Sequence, residues 1–285
     1  MRKSNKSAGF SLTELAISLV IIALIMSFFM STGTAFVEIQ KNEASRTKLK
    51  AIETALAGYV AIHGRLPCPA DGSLTNVSPL NGVGVCGTNQ QHGVVPWVTL
   101  GMSESDILDG WFNRITYRVG PNLWLAGAMD MTSCDTAGTG LGNGVGVNLI
   151  CQTPCSSAGL SSCTSPQTFL QAGKGLNIQD RIGGTLLMDA TASPTEGAAY
   201  VLISHGRNGA GARQNETGAL VPTTNAGNDE LVNANNLAVR IVSPDNFYVD
   251  RNINDNPGAA YFDDLVQRPS ILKVIIQAQR GPRAH

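Results

Sequence analysis

Hydrophobic and polar positions change rhythm three times along the chain. A short polar leader carrying Arg2, Lys3 and Lys6 gives way at Phe10 to an apolar run that holds one acid, Glu14. Residues 15–37 are 23 consecutive uncharged positions. As a helix they span roughly 34 Å at ~1.5 Å per residue, enough to cross a hydrocarbon core of about 30 Å. From Glu38 onward charge is mixed in at helical spacing, and Ile39, Leu49, Ile52, Leu56 and Val60 mark a broken apolar stripe. Glu43 with Arg46, and Lys50 with Glu53, sit three apart and are expected to pair on the polar face. Gly64 and Pro67 are stop signals. The pattern predicts one helix over 10–63, its first half suited to a bilayer and its second half laid by its stripe on a globular body.

Past Pro67 the helical period disappears. Ser103 with Asp106 three residues on predicts a single capped turn. Over 115–119, Ile115, Tyr117 and Val119 alternate with Thr116 and Arg118, which predicts a strand with the last two facing outward. Residues 122–129 supply its expected partner. Short β-branched runs at 185–189 and 199–204 predict core strands, the second ending in a turn at 206–209. Residues 215–236 are rich in Asn, Thr and Gly and predict a loop. A strand over 237–242 and a terminal helix over 270–280 follow. The resulting expectation is an α+β chain, with a long helix on a small antiparallel sheet and loop-rich insertions.

Composition narrows the function classes. The chain has 31 glycines and only 14% charged residues, which suits short strands and loops. Net charge is −1, and outside the leader no basic stripe exists, so direct nucleic-acid binding is not expected. Six cysteines, Cys68, Cys86, Cys134, Cys151, Cys155 and Cys163, all follow the apolar run. An even count on one side of a membrane anchor favours disulfides in an oxidising compartment. Sequence proximity favours pairing Cys68 with Cys86, while zinc on the Cys151–Cys155 pair with Cys134 and Cys163 is the rival.

Three further stretches bear on chemistry. The glycine-rich run at 140–146 lacks the Lys-Ser/Thr ending of a phosphate loop. Ser204-His205 has no G-x-S-x-G elbow around it, and no enzymatic activity is expected. Asp250, Asn252, Asn254 and Asp255, followed by Asp263 and Asp264, gather oxygen ligands of the kind calcium takes. The EF-hand positions are wrong, and a plain Asn/Asp turn cluster explains the same residues.

The acid in the apolar run asks for an explanation, because a carboxylate inside a membrane helix costs about 2.5–3.5 kcal/mol on insertion scales. Cutting the chain between Gly9 and Phe10 would supply a partner, since the new α-amino group of Phe10 lies one helical turn from Glu14. Residues 6–15, Lys-Ser-Ala-Gly-Phe-Ser-Leu-Thr-Glu-Leu, resemble the leader junction of type IV prepilins and type II secretion pseudopilins. Asp109-x-Trp111-x-Asn113-x-x-x-Tyr117 resembles a pseudopilin segment that leads from the long helix into the sheet, and residues 262–266 resemble the closing strand near the end of such proteins.

The resemblance implies cleavage after Gly9 by a prepilin peptidase and N-methylation of Phe10. It implies a filament in which Glu14 engages the Phe10 amine of a neighbouring pilin-like subunit, built on an inner-membrane assembly platform. The domain scheme is then leader 1–9, membrane half 10–37, periplasmic half 38–64 and periplasmic α+β body 65–285. The long body points to a minor or tip subunit of a secretion pseudopilus or type IV pilus. A membrane-anchored adhesin or binding module that never polymerises is the competing class. The proline that many relatives carry about twenty residues into the mature helix is replaced here by Ser31-Thr32-Gly33-Thr34.

Overall fold

The computed structural model describes residues 11–86, 92–121, 123–124, 172–235 and 247–278, apart from the side chains of 28–35. Cys134, Cys151, Cys155 and Cys163, the glycine run at 140–146 and the strand expected at 237–242 lie outside the described residues. The chain divides into two compact units between Lys41 and Asn42.

Helix α1, Leu12–His63, is continuous for 52 residues, as the uninterrupted run and the late stop signals demand. In the first unit every described side chain from 11 to 27 is exposed, including Leu12, Leu15, Ile17 and Ile21. Among the described residues no helix is long and apolar enough to cross a membrane.

In the second unit α1 buries Leu49, Ile52, Leu56 and Val60, spaced three and four apart on one face. Ile39, expected on the same stripe, is exposed. The helix closes at Gly64, whose φ of 68° needs no Cβ and whose N–H donates to the Val60 carbonyl.

The stripe packs on a four-stranded antiparallel sheet of order β1-β3-β6-β9, made of His92–Val94, Thr116–Val119, Tyr200–Ser204 and Leu265–Gln267. Along β6, Tyr200 and Leu202 join the helix-side core, whereas Val201 and Ile203 join a second core with Leu176, Ile178, Met188 and Tyr248. That second core belongs to a three-stranded sheet, β5-β4-β8, of Leu186–Met188, Asn177–Gln179 and Phe247–Val249. Its β4–β8 pair is parallel. A two-stranded ribbon pairs β2, Asn113–Arg114, with β7, Arg213–Gln214. The body also carries helix α2, Asn228–Asn235, and α3, Ile271–Gln277, the latter capped by the Ser270 hydroxyl accepting from the Lys273 N–H.

The second sheet accounts for most departures from expectation. Thr116 and Arg118, expected outward, are buried, because the far face of β3 is covered rather than wet. Both edges of β3 are taken by β1 and β6; of its expected partner at 122–129, only 123–124 are among the described residues. Gly120 donates to the Ala199 carbonyl, and Leu123 folds back onto Gly120 in a turn. The run at 185–189 forms β5 but at an edge, leaving Leu186 and Leu187 exposed. The segment 215–236, read as loop, contains α2. The closing strand lies at 265–267, a few residues later than expected.

Glu43 and Arg46 pair at 3.8 Å as expected, but Glu53 does not pair with Lys50. Glu53 lies on the packed face and accepts from Gln267 at 2.6 Å, Gln277 at 3.0 Å and Lys273 at 2.7 Å. Burial alone would raise its carboxyl; these donors hold it below its ordinary value.

A disulfide and a buried acid fix segments around the helix and the sheet. The disulfide Cys68–Cys86 forms, closing the loop between the two prolines and the first strand. Asp109, almost wholly buried, accepts from the N–H groups of Trp111 and Asn113 through one oxygen and from the Ser204 hydroxyl through the other. The next residue, Gly110, donates to Ser45 on α1 at 2.8 Å. Tyr117, on the following strand, sends its hydroxyl to the Pro67 carbonyl. The capped turn also forms, with the Ser103 N–H and hydroxyl both donating to Asp106.

Candidate functional sites

Gly9 and Phe10 lie outside the described residues. The described chain begins with Ser11 at the cap of α1, where its carbonyl accepts the first helical bond, from the Leu15 N–H. Glu14, three residues on, turns its side chain back so that Oε2 accepts from the Ser11 N–H at 3.3 Å. A Ser-x-x-Glu arrangement is half of a capping box, and an acid there also complements the positive end of the helix dipole. The acid thus has a role within its own chain, which the sequence reading missed although the spacing displayed it. Its side chain is exposed. A cation approaching from outside therefore finds it accessible.

The six residues expected to offer oxygens to calcium do not converge on one point. Asp250 pairs with the Arg268 Nε at 2.5 Å. Asn254 closes its own turn, donating to the Ala260 carbonyl and accepting from the Asn256 N–H. Asn252 and Asp255 are exposed. Asp263 and Asp264 go elsewhere, into the interior, where they are 4% and 3% exposed.

There they meet Glu230 of α2, 0% exposed, and one oxygen-donor atom from each of the three acids lies within 4.8 Å of the others. Each carboxylate is held from outside. Glu230 Oε1 accepts from the Asp263 N–H at 2.6 Å, and Oε2 from Asn208 Nδ2 and the Gly227 N–H. Asp263 Oδ2 accepts from the N–H groups of Arg207 and Asn208 and from the Tyr261 hydroxyl. Asp264 Oδ2 accepts from Asn233 Nδ2, whose amide also docks α2 onto Val249 of β8.

The other oxygens, Asp263 Oδ1 and Asp264 Oδ1, are buried without a hydrogen bond. So is Nδ1 of His205, which lies 3.4 Å from Asp264 Oδ1. The second ring nitrogen of His205 contacts the Thr116 hydroxyl at 2.9 Å. Gly206 makes room for the cluster: with φ of 59°, a Cβ there would sit 2.4 Å from Asp263 Oδ1.

Electrostatics follow from the crowding. Burial, reinforced by Asp263 and Asp264, pushes the Glu230 carboxyl up to about 8. Burial and the neighbouring Asp263 carboxylate likewise push the Tyr261 hydroxyl up. Glu230 escaped the sequence reading because its segment looked like loop. The available signal was Asn228-Asp229-Glu230 after Gly227, a start with acids in the first turn.

Residues 4–30 match a family model described as the prokaryotic N-terminal methylation motif. Among curated proteins and among solved structures, none matches this chain. The matched stretch contains the whole of the Gly9-Phe10 junction and Glu14. The chain carries the prokaryotic N-terminal methylation motif, the prepilin signal of type IV pilin-like proteins.

Proposed function

We propose that this chain is a structural, non-enzymatic subunit of a type II secretion pseudopilus or a type IV pilus, in a minor or tip position. A prepilin peptidase removes residues 1–9 and methylates the Phe10 amine. Residues 10–37 hold the precursor in the inner membrane with the body in the periplasm, until the assembly platform draws the helix into a filament. Within the filament Glu14 pairs with the Phe10 amine of a neighbour and sets the register of packed helices.

One observation carries the reading. The methylation motif coincides with an exposed acid one turn into a 52-residue helix whose described N-terminal part exposes all its apolar side chains. Exposed Leu and Ile in such density call for a lipid or protein partner.

The half capping box gives a sharp test of the acid. Glu14→Gln keeps a group that can accept from the Ser11 N–H and removes the charge. The expected outcome is normal processing and normal helix content, with incorporation into filaments reduced as far as by Glu14→Ala. Full incorporation of Glu14→Gln would show that the acid acts only as a cap. It would remove the pairing mechanism.

A further inference from the structure

Given the pilin-like reading above, on which this rests, we infer that Phe112 is an apolar knob that seats against the N-terminal helix of a neighbouring pilin-like subunit. Phe112 is 73% exposed and belongs to neither core.

Its backbone is as unusual as its exposure. With φ of 65° it is the one left-handed residue other than glycine among the described residues. The hairpin turn explains the conformation. Leu108 and Arg114 bridge across the turn as an antiparallel pair. Inside that bridge the Asp109 N–H donates to the Asn113 carbonyl at 2.9 Å, and the Phe112 N–H donates to the Asp109 carbonyl at 3.1 Å. A three-residue loop closed in this way puts its last residue in the left-handed region, where glycine is the ordinary choice. Asp109 Oδ1 accepts from the N–H groups on either side of Phe112, those of Trp111 and Asn113, and holds the turn in shape. A phenylalanine there strains the backbone and, being exposed, recovers nothing from packing within its own body. Strain that the surroundings enforce in this way marks a position kept for contact with something else.

The knob has a defined place. Gly110, two residues before it, donates to Ser45 of α1 at 2.8 Å. The neighbouring capped turn accepts from Lys48 of α1 through the Ser105 carbonyl at 2.7 Å. Phe112 is therefore carried beside α1, close to Ser45, on a turn that is bonded to the helix.

The chemistry of α1 names the occupant. Every described side chain from 11 to 27 is exposed, and so many leucines, isoleucines and valines need apolar cover from outside their own chain. A subunit with the same methylation motif brings the same kind of helix. When that helix packs beside this body, a ring already fixed in position offers apolar area at little cost in entropy. A single rigid ring suits the groove between the side chains of a helix, whereas a bilayer rewards a broad apolar face.

The test follows the full chain in cells that assemble the filament, with thermal unfolding of the purified chain in detergent alongside. Phe112→Gly removes the ring and suits the left-handed backbone. The expected result is cleavage after Gly9 as in the wild type and a melting temperature equal or higher. Incorporation into filaments should fall about tenfold, the scale for losing an aromatic anchor. Phe112→Trp should keep most of the incorporation. A lower melting temperature in Phe112→Gly would assign the ring to the body's own fold and overturn the contact. Incorporation of Phe112→Gly at the wild-type level would overturn it equally. Benzoylphenylalanine in place of Phe112 gives a second measurement, since irradiation of the filament should join this chain to the N-terminal helix of another subunit. Adducts confined to lipid, or to another subunit's globular body, would contradict the contact. A wild-type chain that is neither cleaved nor incorporated would instead overturn the pilin-like reading, and the contact with it.

Discussion

The two units of this chain use the same helix in opposite ways. Before Lys41 the described residues of α1 present leucines, isoleucines and valines to the outside and bury almost nothing. After Asn42 the same helix turns Leu49, Ile52, Leu56 and Val60 into the core on one face of the first sheet, whose other face is covered by a second core. The first stretch is built for a partner that is not itself, and the second is built to be complete. The difference also explains where function is written. An unfinished surface must state its partner chemistry in sequence, whereas a finished core states only volume and shape.

The contrast is sharpest in core truncation. Leu56→Ala should cost the body about 2–5 kcal/mol, the range for deleting a buried leucine side chain. Ile21→Ala, at an exposed position, should change body stability by no more than about 0.5 kcal/mol. Denaturant unfolding of the full chain in detergent measures both. Equal costs would mean that the first unit has a folded core after all.

The disulfide gives the next effect. Cys68 and Cys86 are 18 residues apart, and removing such a cross-link costs about 3 kcal/mol by loop entropy. Replacing both by Ala should lower the melting temperature of the body and leave cleavage after Gly9 unchanged. Reduced cleavage would show that the two units are not independent in this respect.

A third effect is a trend with pH. The folded Glu230 carboxyl is pushed up to about 8, against an ordinary value of 4.5. Between those values the folded state binds a proton that the unfolded state has released. Stability is therefore highest below about 4.5 and falls as pH rises toward 8. Glu230→Gln should flatten that slope, as thermal melts across the window would record. A slope of the same size in the variant would place its origin elsewhere.

How much of this was legible depends on whether a residue's partners lie near it in sequence. The long helix, its end at Gly64, the Ser103 turn, β3, β6 and the Cys68–Cys86 pairing all rest on local signals or proximity. Thr116 and Arg118 were misread because alternation reports one wet face only if the other sheet is absent. Glu53 was assigned to a neighbour three residues away, but its true partners, Gln267, Lys273 and Gln277, come from the far end of the chain. The acid cluster failed for the same reason. Asp263 and Asp264 were visible, but Glu230 reaches them only through the docking of α2 on β8. At the N-terminus the converse holds, since the methylation motif over residues 4–30 is one contiguous stretch and can be read directly.

The most direct test of the central claim is the intact mass and N-terminal sequence of the mature chain from membranes that contain a prepilin peptidase. The account predicts a chain that begins at Phe10 and carries one methyl group on its α-amine. A mature protein that retains Met1, or is cut beyond Glu14, would contradict it.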